Sequence, residues 1–481
     1  MTIRWLALFE ILWFAAVLTA GAADRPPNIL LLLADDLGYG DVSCFNPGSK
    51  IATPSIDRLA REGMRFSDAH SPGAVCVPSR YGLMTGRYPF RQNGNPDKGA
   101  LIEPGRMTIA SLLKANGYPT AMIGKWHLGF QGGTNFDCGK PLRGGPADCG
   151  FDLFFGQHAS LDIPPYFYIQ NDHCVGPPTK PVGAGSTPEW SPIQGAFWRA
   201  GSIAPDFKMP EVLADYTRRA VDYIGRAARN EKPFFLYVAF TAPHTPWLPS
   251  REFGGKSSAG LYGDFVMQLD HAIEEIVAAL ARAGLSDNTL VFFTSDNGPT
   301  WYPADVQRFD HSSAYHFRGM KGDAWEGGHR VPFIARWPGR IKPGSESGET
   351  IVFTDFLATF AAVLGAKLPE NAGEDSVSFL SLLLGGKPGK PHDVTVIESS
   401  RRVPAIRQGD WKLIPILGSG GFTQPSMVKP EPGEVPGQLY NLASDPAEQT
   451  NVYARNPEVV ARLAALLEKC RRDGRSAPTL R

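Results

Sequence analysis

The chain has little cysteine, no excess of charge of either sign and no internal repeat. Its six cysteines among 481 residues are too few for the fold to depend on a disulfide framework. Lysine plus arginine total 48 and aspartate plus glutamate also total 48, so no whole-chain field attracts nucleic acid or an anionic membrane. The 52 glycines and 42 prolines are spread along the chain, which is typical of a loop-rich globular protein. We therefore expect no nucleic-acid partner.

The chain also lacks a hydrophobic run long enough to cross a bilayer. The most apolar stretch, residues 5–18, is shorter than the ~20 residues a spanning helix needs and is interrupted by Glu10. Arg4 precedes this stretch and small residues 19–23 follow it. That order predicts a cleavable signal peptide over residues 1–23, with an uncleaved anchor as the alternative. We expect export to the periplasm or the extracellular medium and no membrane span in the mature chain.

Export would permit disulfide bonds. The cysteines are Cys44, Cys76, Cys138, Cys149, Cys174 and Cys470. Cys138 and Cys149 would close a short loop in a glycine-rich stretch, and we take this pairing as a working hypothesis, since spacing alone does not fix connectivity.

Short apolar runs alternate with helical periodicity along most of the chain. The apolar runs, each followed by polar residues, are 28–34, 119–124, 233–240 and 290–294. The segments with helical spacing are 53–63, 212–228 and 263–283. This alternation predicts an α/β catalytic domain over residues 24–389, with a large, mainly parallel sheet flanked by helices. Ligands of such sheets bind beyond the carboxyl ends of the strands, so we expect the polar residues to meet at one rim.

Oxygen-bearing side chains stand at the ends of two of these runs. Asp35 and Asp36 follow the first run, and Asp296 and Asn297 follow the fourth. Because no cysteine or histidine stands beside them, they favour a hard cation such as Ca²⁺ or Mg²⁺ over zinc. Either pair alone would be read as an ordinary turn. Two pairs at two strand ends favour a metal site.

Residues 76–87 read Cys-Val-Pro-Ser-Arg-Tyr-Gly-Leu-Met-Thr-Gly-Arg, a string that resembles the signature of the type I sulfatases. A lone cysteine is usually a small buried hydrophobe, but the complete string makes that interpretation weak here. Other segments resemble the same family in matching order over nearly the whole mature chain. They are residues 33–41, 124–129, 243–246, 294–298 and 318–328.

The resemblance implies an alkaline phosphatase-like fold and a specific site. In this family the motif cysteine, here Cys76, is oxidised to formylglycine by a dedicated maturation enzyme. One Ca²⁺ would be held by Asp35, Asp36, Asp296, Asn297 and the modified Cys76. The implied catalytic residues are Cys76, Arg80, Lys125, His127, His244 and Lys321.

The resemblance also implies a mechanism. The aldehyde hydrates to a diol, and one hydroxyl attacks sulfur and displaces the alcohol. His127 would deprotonate the second hydroxyl, which expels sulfate and restores the aldehyde. Lys321 and His244 would bind sulfate and protonate the leaving oxygen, in an order that the sequence leaves open. Arg80 and Lys125 would neutralise charge around the sulfate.

Substrate recognition is less constrained by the sequence. A sulfated carbohydrate is the expected substrate class, by family analogy alone. Ser160 is the nearest match to a family serine but has divergent neighbours, and we leave it outside the catalytic set. The tryptophans considered for stacking on a sugar are Trp190, Trp198, Trp247 and Trp301. Trp247 and Trp301 are favoured, because they directly follow site segments.

The chain changes character from about residue 390. Apolar runs at 394–397, 411–416 and 439–442 precede an amphipathic helix at 457–471. This pattern resembles the smaller sulfatase domain, so we expect an antiparallel sheet plus one helix over residues 390–481. Two arginines there, Arg401 and Arg402, either offer charge to a polyanionic substrate or are solvated, and we weigh both equally.

Two alternative functions remain at this stage. One is a phosphodiester or phosphonate monoester hydrolase of the same superfamily, although those relatives use transition metals with extra histidine and aspartate ligands. The other is an inactive protein that binds sulfated glycans, which the complete set of candidate residues disfavours. A sulfuric ester hydrolase is the favoured interpretation.

Overall fold

Strands and helices alternate through most of the chain. The computed structural model describes residues 25–187, 191, 194–387 and 392–478. The strands of this part are β1 (Asn28–Asp35), β2 (Met64–Phe66), β3 (Ala69–His70), β4 (Thr120–Lys125), β5 (Leu153–Gln157), β6 (Tyr168–Gln170), β7 (His173–Val175), β8 (Lys180–Val182), β9 (Gly185–Thr187), β10 (Gln194–Trp198), β11 (Gly201–Ile203), β12 (Phe235–Pro243), β13 (Thr289–Ser295), β14 (Phe333–Arg336), β15 (Ser345–Ser347), β16 (Ile351–Val352), β17 (Thr395–Glu398), β18 (Pro404–Gln408), β19 (Trp411–Ile414) and β20 (Gln438–Asn441). The α-helices are α1 (Pro54–Glu62), α2 (Cys76–Thr85), α3 (Ile109–Ala115), α4 (Val212–Ala227), α5 (Gly260–Arg282), α6 (Pro303–Phe309), α7 (Glu326–His329), α8 (Phe356–Leu364), α9 (Leu380–Leu383) and α10 (Pro457–Arg472).

The main sheet contains ten strands of the described chain, in the order β15-β2-β14-β13-β1-β12-β4-β5-β6-β7. Its central strands β13, β1, β12, β4 and β5 run parallel. β1 is buried along its whole length, and its Leu31 pairs with Tyr237 on one side and Phe292 on the other. A continuous apolar run is what a strand covered on both faces requires. The predicted large, mainly parallel sheet is confirmed.

Two groups of helices flank this sheet. Helices α1, α4 and α5 pack together, and α2, α3 and α8 form the other group. The buried stripe of α5 consists of Phe265, Leu269, Ile273, Ile276 and Leu280. These positions recur every three or four residues, so a single face of the helix meets the core. The helices predicted at 53–63, 212–228 and 263–283 are all present.

A smaller antiparallel sheet, β17-β18-β19-β20, lies in the C-terminal part of the chain. Helix α10 packs on β18 and β19 through Val459, Leu463 and Leu467. The predicted antiparallel sheet with one helix is confirmed, and β18 is a strand that the apolar runs did not reveal. The expected boundary between residues 389 and 390 lies outside the described residues.

The disulfide pairing expected from the sequence is wrong. Cys138 bonds to Cys174, with an S–S distance of 2.09 Å and a Cα–Cα distance of 5.3 Å. Cys174 lies on β7, the last strand of the main sheet, and strand pairing brings it to the loop that carries Cys138. Cys149 is a buried free cysteine at the end of a 3₁₀ turn. Sequence spacing could not reveal a contact that the folding of the sheet edge creates.

The N-terminal segment with the expected signal peptide, residues 1–23, lies outside the described residues. Of the helices in the described part, none combines the length and the hydrophobicity that crossing a membrane would require.

Candidate active site

The carboxyl ends of four parallel strands bring the predicted polar residues to one rim. Asp35 ends β1, Lys125 ends β4, His244 follows β12 and Asp296 follows β13. β1 and β13 pair in register up to Ala34 and Ser295, so the acidic residues that follow them are neighbours. The rim thus places together residues more than 250 positions apart in sequence.

Tight backbone turns aim two of these side chains. Asp36 and His127 have φ values of 65° and 59°, in the left-handed region that non-glycine residues seldom adopt. Such conformations cost about 1–3 kcal/mol and cluster at functional sites. Gly124 permits the close approach that precedes Lys125, because a Cβ there would lie 1.8 Å from the carbonyl oxygen of Ala239. These backbone conformations therefore set the positions of Asp36, Lys125 and His127 at the rim.

Helix α2 begins at the motif cysteine and carries two site residues on one face. Cys76 and Arg80 are one turn apart, and both are buried. The Cys76 Sγ lies 3.3 Å from Asp35 Oδ1 and 3.5 Å from Lys321 Nζ. Arg80 donates from Nε to Asp296 Oδ2 at 2.9 Å and from Nη1 to the Lys125 carbonyl oxygen at 2.9 Å. The spacing of the motif therefore places the Cys76 thiol and the Arg80 guanidinium next to the carboxylates of Asp35 and Asp296.

Three buried carboxylates face three buried cations. Lys125 Nζ lies 2.7 Å from Asp35 Oδ2, and Lys321 Nζ lies 2.6 Å from Asp36 Oδ1. Arg80 Nη2 lies 2.8 Å from Asp296 Oδ2. Burial opposes ionisation of Asp35, but Lys125, His244 and Arg80 hold its pKa well below the ordinary value. These pairs give a charged site in a low-dielectric setting.

The oxygen donors fit a hard divalent cation. Among the described residues no hydrogen-bond donor reaches the buried Asn297 Oδ1, although Nδ2 of the same amide donates to Asp36 Oδ1 at 2.7 Å. Burial and the neighbouring Asp35 raise the pKa of Asp296 to about 6, which a nearby cation would reverse. The ligand atoms of Asp35, Asp36, Cys76 and His244 lie within 4.8 Å of one another. With the carboxylate of Asp296 and the buried Oδ1 of Asn297, oxygen donors are the majority around this point, as Ca²⁺ prefers.

The two histidines of the site have different environments. Burial, with Lys125 and Arg80 adding to it, holds the pKa of His127 well below its ordinary value, so its ring is neutral. Within the described chain no group bonds to its buried Nδ1. His244 Nδ1 lies 2.7 Å from the Thr245 carbonyl oxygen, which can only accept, so this nitrogen carries the proton. The other nitrogen, Nε2, faces Asp36 Oδ2 at 3.7 Å.

A cavity of about 480 Å³ opens above Cys76. His127, His244 and Lys321 line it together with residues of five other segments. Those segments contribute Ser160, Asp162, Ile163, Phe197, Arg199, Thr300, Tyr302, Arg401, Phe422 and Gln424. Ser160, which we left outside the catalytic set, is buried here, and in the described structure its Oγ has no partner.

The expected stacking role of Trp247 and Trp301 is wrong. Each is only 5% exposed, and neither lines the cavity. Their rings pack on Tyr262, with centroids 5.3 Å and 4.8 Å from its ring. Trp198 is half-buried, and its indole donates to Gly183, while Trp190 lies outside the described residues. The aromatic walls of the cavity are instead Phe197, Tyr302 and Phe422.

The two C-terminal arginines separate in the structure. Arg401 lines the cavity. Arg402 does not line it, and its guanidinium donates to the Gln92 carbonyl oxygen at a distance of 2.6 Å. Thr300 is a site residue that the sequence reasoning missed, and its Oγ1 donates to Asp36 Oδ2 at 3.1 Å. Its position three residues after Asn297 was the available signal.

Comparisons with known proteins find similar sequences and structures over most of the chain. The sequence model of the family described as Sulfatase matches residues 27–366. An N-acetylgalactosamine-6-O-sulfatase of Bacteroides thetaiotaomicron is 36% identical, over 93% of this chain and 94% of its own length. Human arylsulfatase A is also 36% identical, over 93% of this chain and 89% of its own. A solved sulfatase structure from work on glycosaminoglycan metabolism by Bacteroides thetaiotaomicron has a TM-score of 0.81 and 34% identity, covering 92% of this chain and 99% of that one.

The family match and the fold define a hydrolase of sulfuric esters with an alkaline phosphatase-like architecture. The chain belongs to the sulfatase family.

Proposed function

We propose that this protein is an exported sulfatase that removes sulfate from sulfated carbohydrates, using a formylglycine made from Cys76 and one bound Ca²⁺. The observation that carries the proposal is the position of Cys76, at the base of a cavity between an oxygen-rich cluster and Lys321. The relative named as an N-acetylgalactosamine-6-O-sulfatase supports a sulfated sugar as substrate. A formylglycine-generating maturation enzyme is the implied partner.

The metal and the modified residue each supply one kind of chemistry. Asp35, Asp36, Asp296, Asn297 and residue 76 would hold Ca²⁺, which supplies positive charge for sulfate oxygens. The modified residue supplies, once hydrated, one hydroxyl for attack on sulfur and a second whose deprotonation releases sulfate. The sulfur atom of an unmodified cysteine offers no second hydroxyl.

The protein's own side chains bind the sulfate and move protons. Arg80 and Lys125 lie beneath the cavity, where their charges offset the negative charge of a sulfate ester. Lys321 and His244 line the opening and are the candidates to protonate the leaving oxygen. His127 is neutral and has an unengaged nitrogen, as a general base for sulfate release requires.

A second cluster of side chains that could bind a metal is occupied by a lysine, which disfavours the alternative phosphodiester or phosphonate hydrolases. His70, Glu326 and His329 are close enough together to hold an ion. However, Lys412 Nζ lies 2.9 Å from Glu326 Oε1 and 3.0 Å from His329 Nε2, so an ammonium group takes the place of a metal. The described residues therefore favour one metal centre over the larger metal clusters of phosphatase relatives. The complete candidate site likewise disfavours an inactive glycan-binding protein.

The modification at residue 76 tests the proposal. Mass spectrometry of the peptide that contains Cys76 should detect a species lighter than the thiol form, and its fraction should rise with specific activity across preparations. Cys76→Ala should lose sulfatase activity at least about 10³-fold, since the nucleophile is gone. The matched control is Cys149→Ala, which replaces another buried free cysteine outside the site. Full activity in protein that carries only unmodified Cys76 would refute the mechanism.

A further inference from the structure

One carboxylate of the cavity wall, that of Asp162, has a hydrogen-bond partner within the described part of the chain for only one of its two oxygens. Asp162 is 5% exposed, and its Oδ2 accepts a hydrogen bond from Arg199 Nη1 at 2.5 Å. Its Oδ1 is buried, and among the described residues no donor lies within hydrogen-bond distance of it. The nearest ring nitrogen, His244 Nδ1, is 3.9 Å away and already donates to Thr245. A buried hydrogen-bond acceptor without a donor costs folding free energy, unless a bound ligand supplies the missing donor.

The loop around Asp162 is held in place from both sides. The Asp162 carbonyl oxygen accepts from the Arg199 backbone N–H at 3.1 Å, and Tyr166 donates to the Arg199 carbonyl oxygen at 2.8 Å. The backbone N–H of Ile163 also donates to the Ser160 carbonyl oxygen at 3.1 Å. The unpartnered oxygen is therefore fixed before any ligand enters, which lowers the cost of ordering on binding.

The chemistry of this oxygen selects one kind of partner. A carboxylate accepts hydrogen bonds and repels a sulfate ester, so Asp162 Oδ1 cannot bind the sulfate itself. His244 is a proposed donor to the leaving oxygen, and Asp162 Oδ1 lies 3.9 Å from its ring, so the carboxylate lies close to where the sugar would leave. We infer that Asp162 is a specificity residue that accepts a hydrogen bond from a neutral donor, a hydroxyl or amide N–H, on the sugar that carries the sulfate ester.

The inference rests on the proposed function and narrows it. A sulfated sugar carries hydrogen-bond donors beside its ester, whereas a simple aryl sulfate has none. Only the sugar can therefore donate a hydrogen bond to Asp162 Oδ1. Sites built around a buried acceptor discriminate strongly against substrates that leave it unpaired. The wild-type protein should therefore prefer sulfated sugars over aryl sulfates, partly through this one contact.

The test compares kcat/KM of wild type, Asp162→Ala and Asp162→Asn on two substrates. These are nitrophenyl sulfate and the sulfated monosaccharide that the wild type hydrolyses fastest. Loss of one hydrogen bond to a charged group predicts a fall of about 10- to 100-fold on the sugar for Asp162→Ala. The aryl sulfate should change less than about 3-fold. Asp206→Ala, at an exposed aspartate outside the cavity, is the control and should change neither rate.

A deoxy analogue gives an independent measure. Removing the recognised donor from the sugar should slow the wild type by a similar factor and slow Asp162→Ala no further. A parallel fall on both substrates, with a shifted pH profile, would mean that Asp162 acts through His244 and would overturn the inference. Unchanged rates on the sugar in both variants would overturn it as well. Failure of the wild type on both sulfates would instead refute the proposed function.

Discussion

Buried charge determines what each residue of the site can do. Burial, reinforced by Asp296 and Asp35, raises the pKa of the Cys76 thiol. An unmodified thiol would thus stay protonated and would be a poor nucleophile. Burial also opposes the charge of Lys321, yet Asp36 raises its pKa, so the ammonium persists. Lys321 therefore offers positive charge to an anionic substrate, and the reaction requires a nucleophile other than the Cys76 thiolate.

Removing one carboxylate should remove the metal. Asp296→Ala deletes a proposed oxygen ligand and leaves the buried Arg80 without its closest partner. We expect loss of bound calcium and a fall in kcat of about 10³-fold, since the cation supplies several kcal/mol of charge stabilisation. Calcium content by atomic emission, with circular dichroism as the check on folding, measures this. The metal assignment is wrong if Asp296→Ala, Asp35→Ala and Asp36→Ala all keep calcium and activity.

His127 should act in the second half of the reaction. Its pKa lies well below the ordinary value of 6.5, so the ring stays deprotonated and able to accept a proton as pH falls through 6.5. We therefore expect sulfate release to lose rate only at a pH below that value. His127→Ala should slow release more than the initial cleavage, by about 10²- to 10⁴-fold, as loss of a general base does. Mass spectrometry should then find sulfate retained on the peptide of residue 76, and its absence would contradict this role.

At the scale of elements, long apolar runs were predicted well and short strands were not. β1, β12 and β13 are continuous buried runs, and each was recognised within a few residues. β14 pairs antiparallel with β13, but its four residues carry too short a pattern to stand out. β18 begins at a proline, which is a poor strand signal. Local pattern predicts elements that are long enough to show a period.

Lys412 on β19 joins the small sheet to helix α7 through buried charge. It is 1% exposed and lies 2.9 Å from both Glu326 Oε1 on α7 and Glu448 Oε1. Burial opposes ionisation of Glu326, but Lys412 and Arg330 hold its pKa well below the ordinary value. Lys412 therefore keeps the buried Glu326 ionised, whereas burial, with Glu326 adding to it, raises the pKa of Glu448 to about 7 despite the same lysine.

Lys412→Met should destabilise the protein by about 3–5 kcal/mol, since it leaves Glu326 ionised and buried without a cation and, above the Glu448 pKa of about 7, Glu448 as well. Without the cation both pKa values rise, so the loss should be smallest at low pH, where the carboxylates are protonated, and should grow as pH increases. Urea unfolding at several pH values measures the effect. Lys140→Met, at a lysine 78% exposed, is the matched control and should unfold at the same urea concentration as wild type at every pH. Equal stability of the two variants would contradict this account.

At the scale of the whole molecule, the motifs predicted the centre of the site but not its walls. Cys76, Lys125 and Asp296 belong to contiguous strings, so a family pattern predicts a role for each of them. Asp162 and Arg199 are 37 positions apart, and only the folded loops bring them together. Substrate walls depend on such distant contacts, which a single sequence does not encode as a readable motif.

The overall charge of zero also means that anion selectivity is local. Any preference between anions must arise from the few buried cations around Cys76. The proposed single Ca²⁺, with Arg80, Lys125 and Lys321, would match a sulfate ester, which carries one negative charge. A phosphate ester carries up to two, and relatives that hydrolyse it concentrate more charge in metal clusters. The selectivity of this site for sulfate over phosphate is therefore the central claim.

The most direct test is to compare kcat/KM for a sulfate monoester and the matching phosphate monoester on calcium-loaded protein. The ratio reports the difference in transition-state stabilisation. We predict that the sulfate is turned over faster, by at least about 10²-fold, which corresponds to about 2.7 kcal/mol. A preference for the phosphate would contradict the account, even if residue 76 carried the aldehyde.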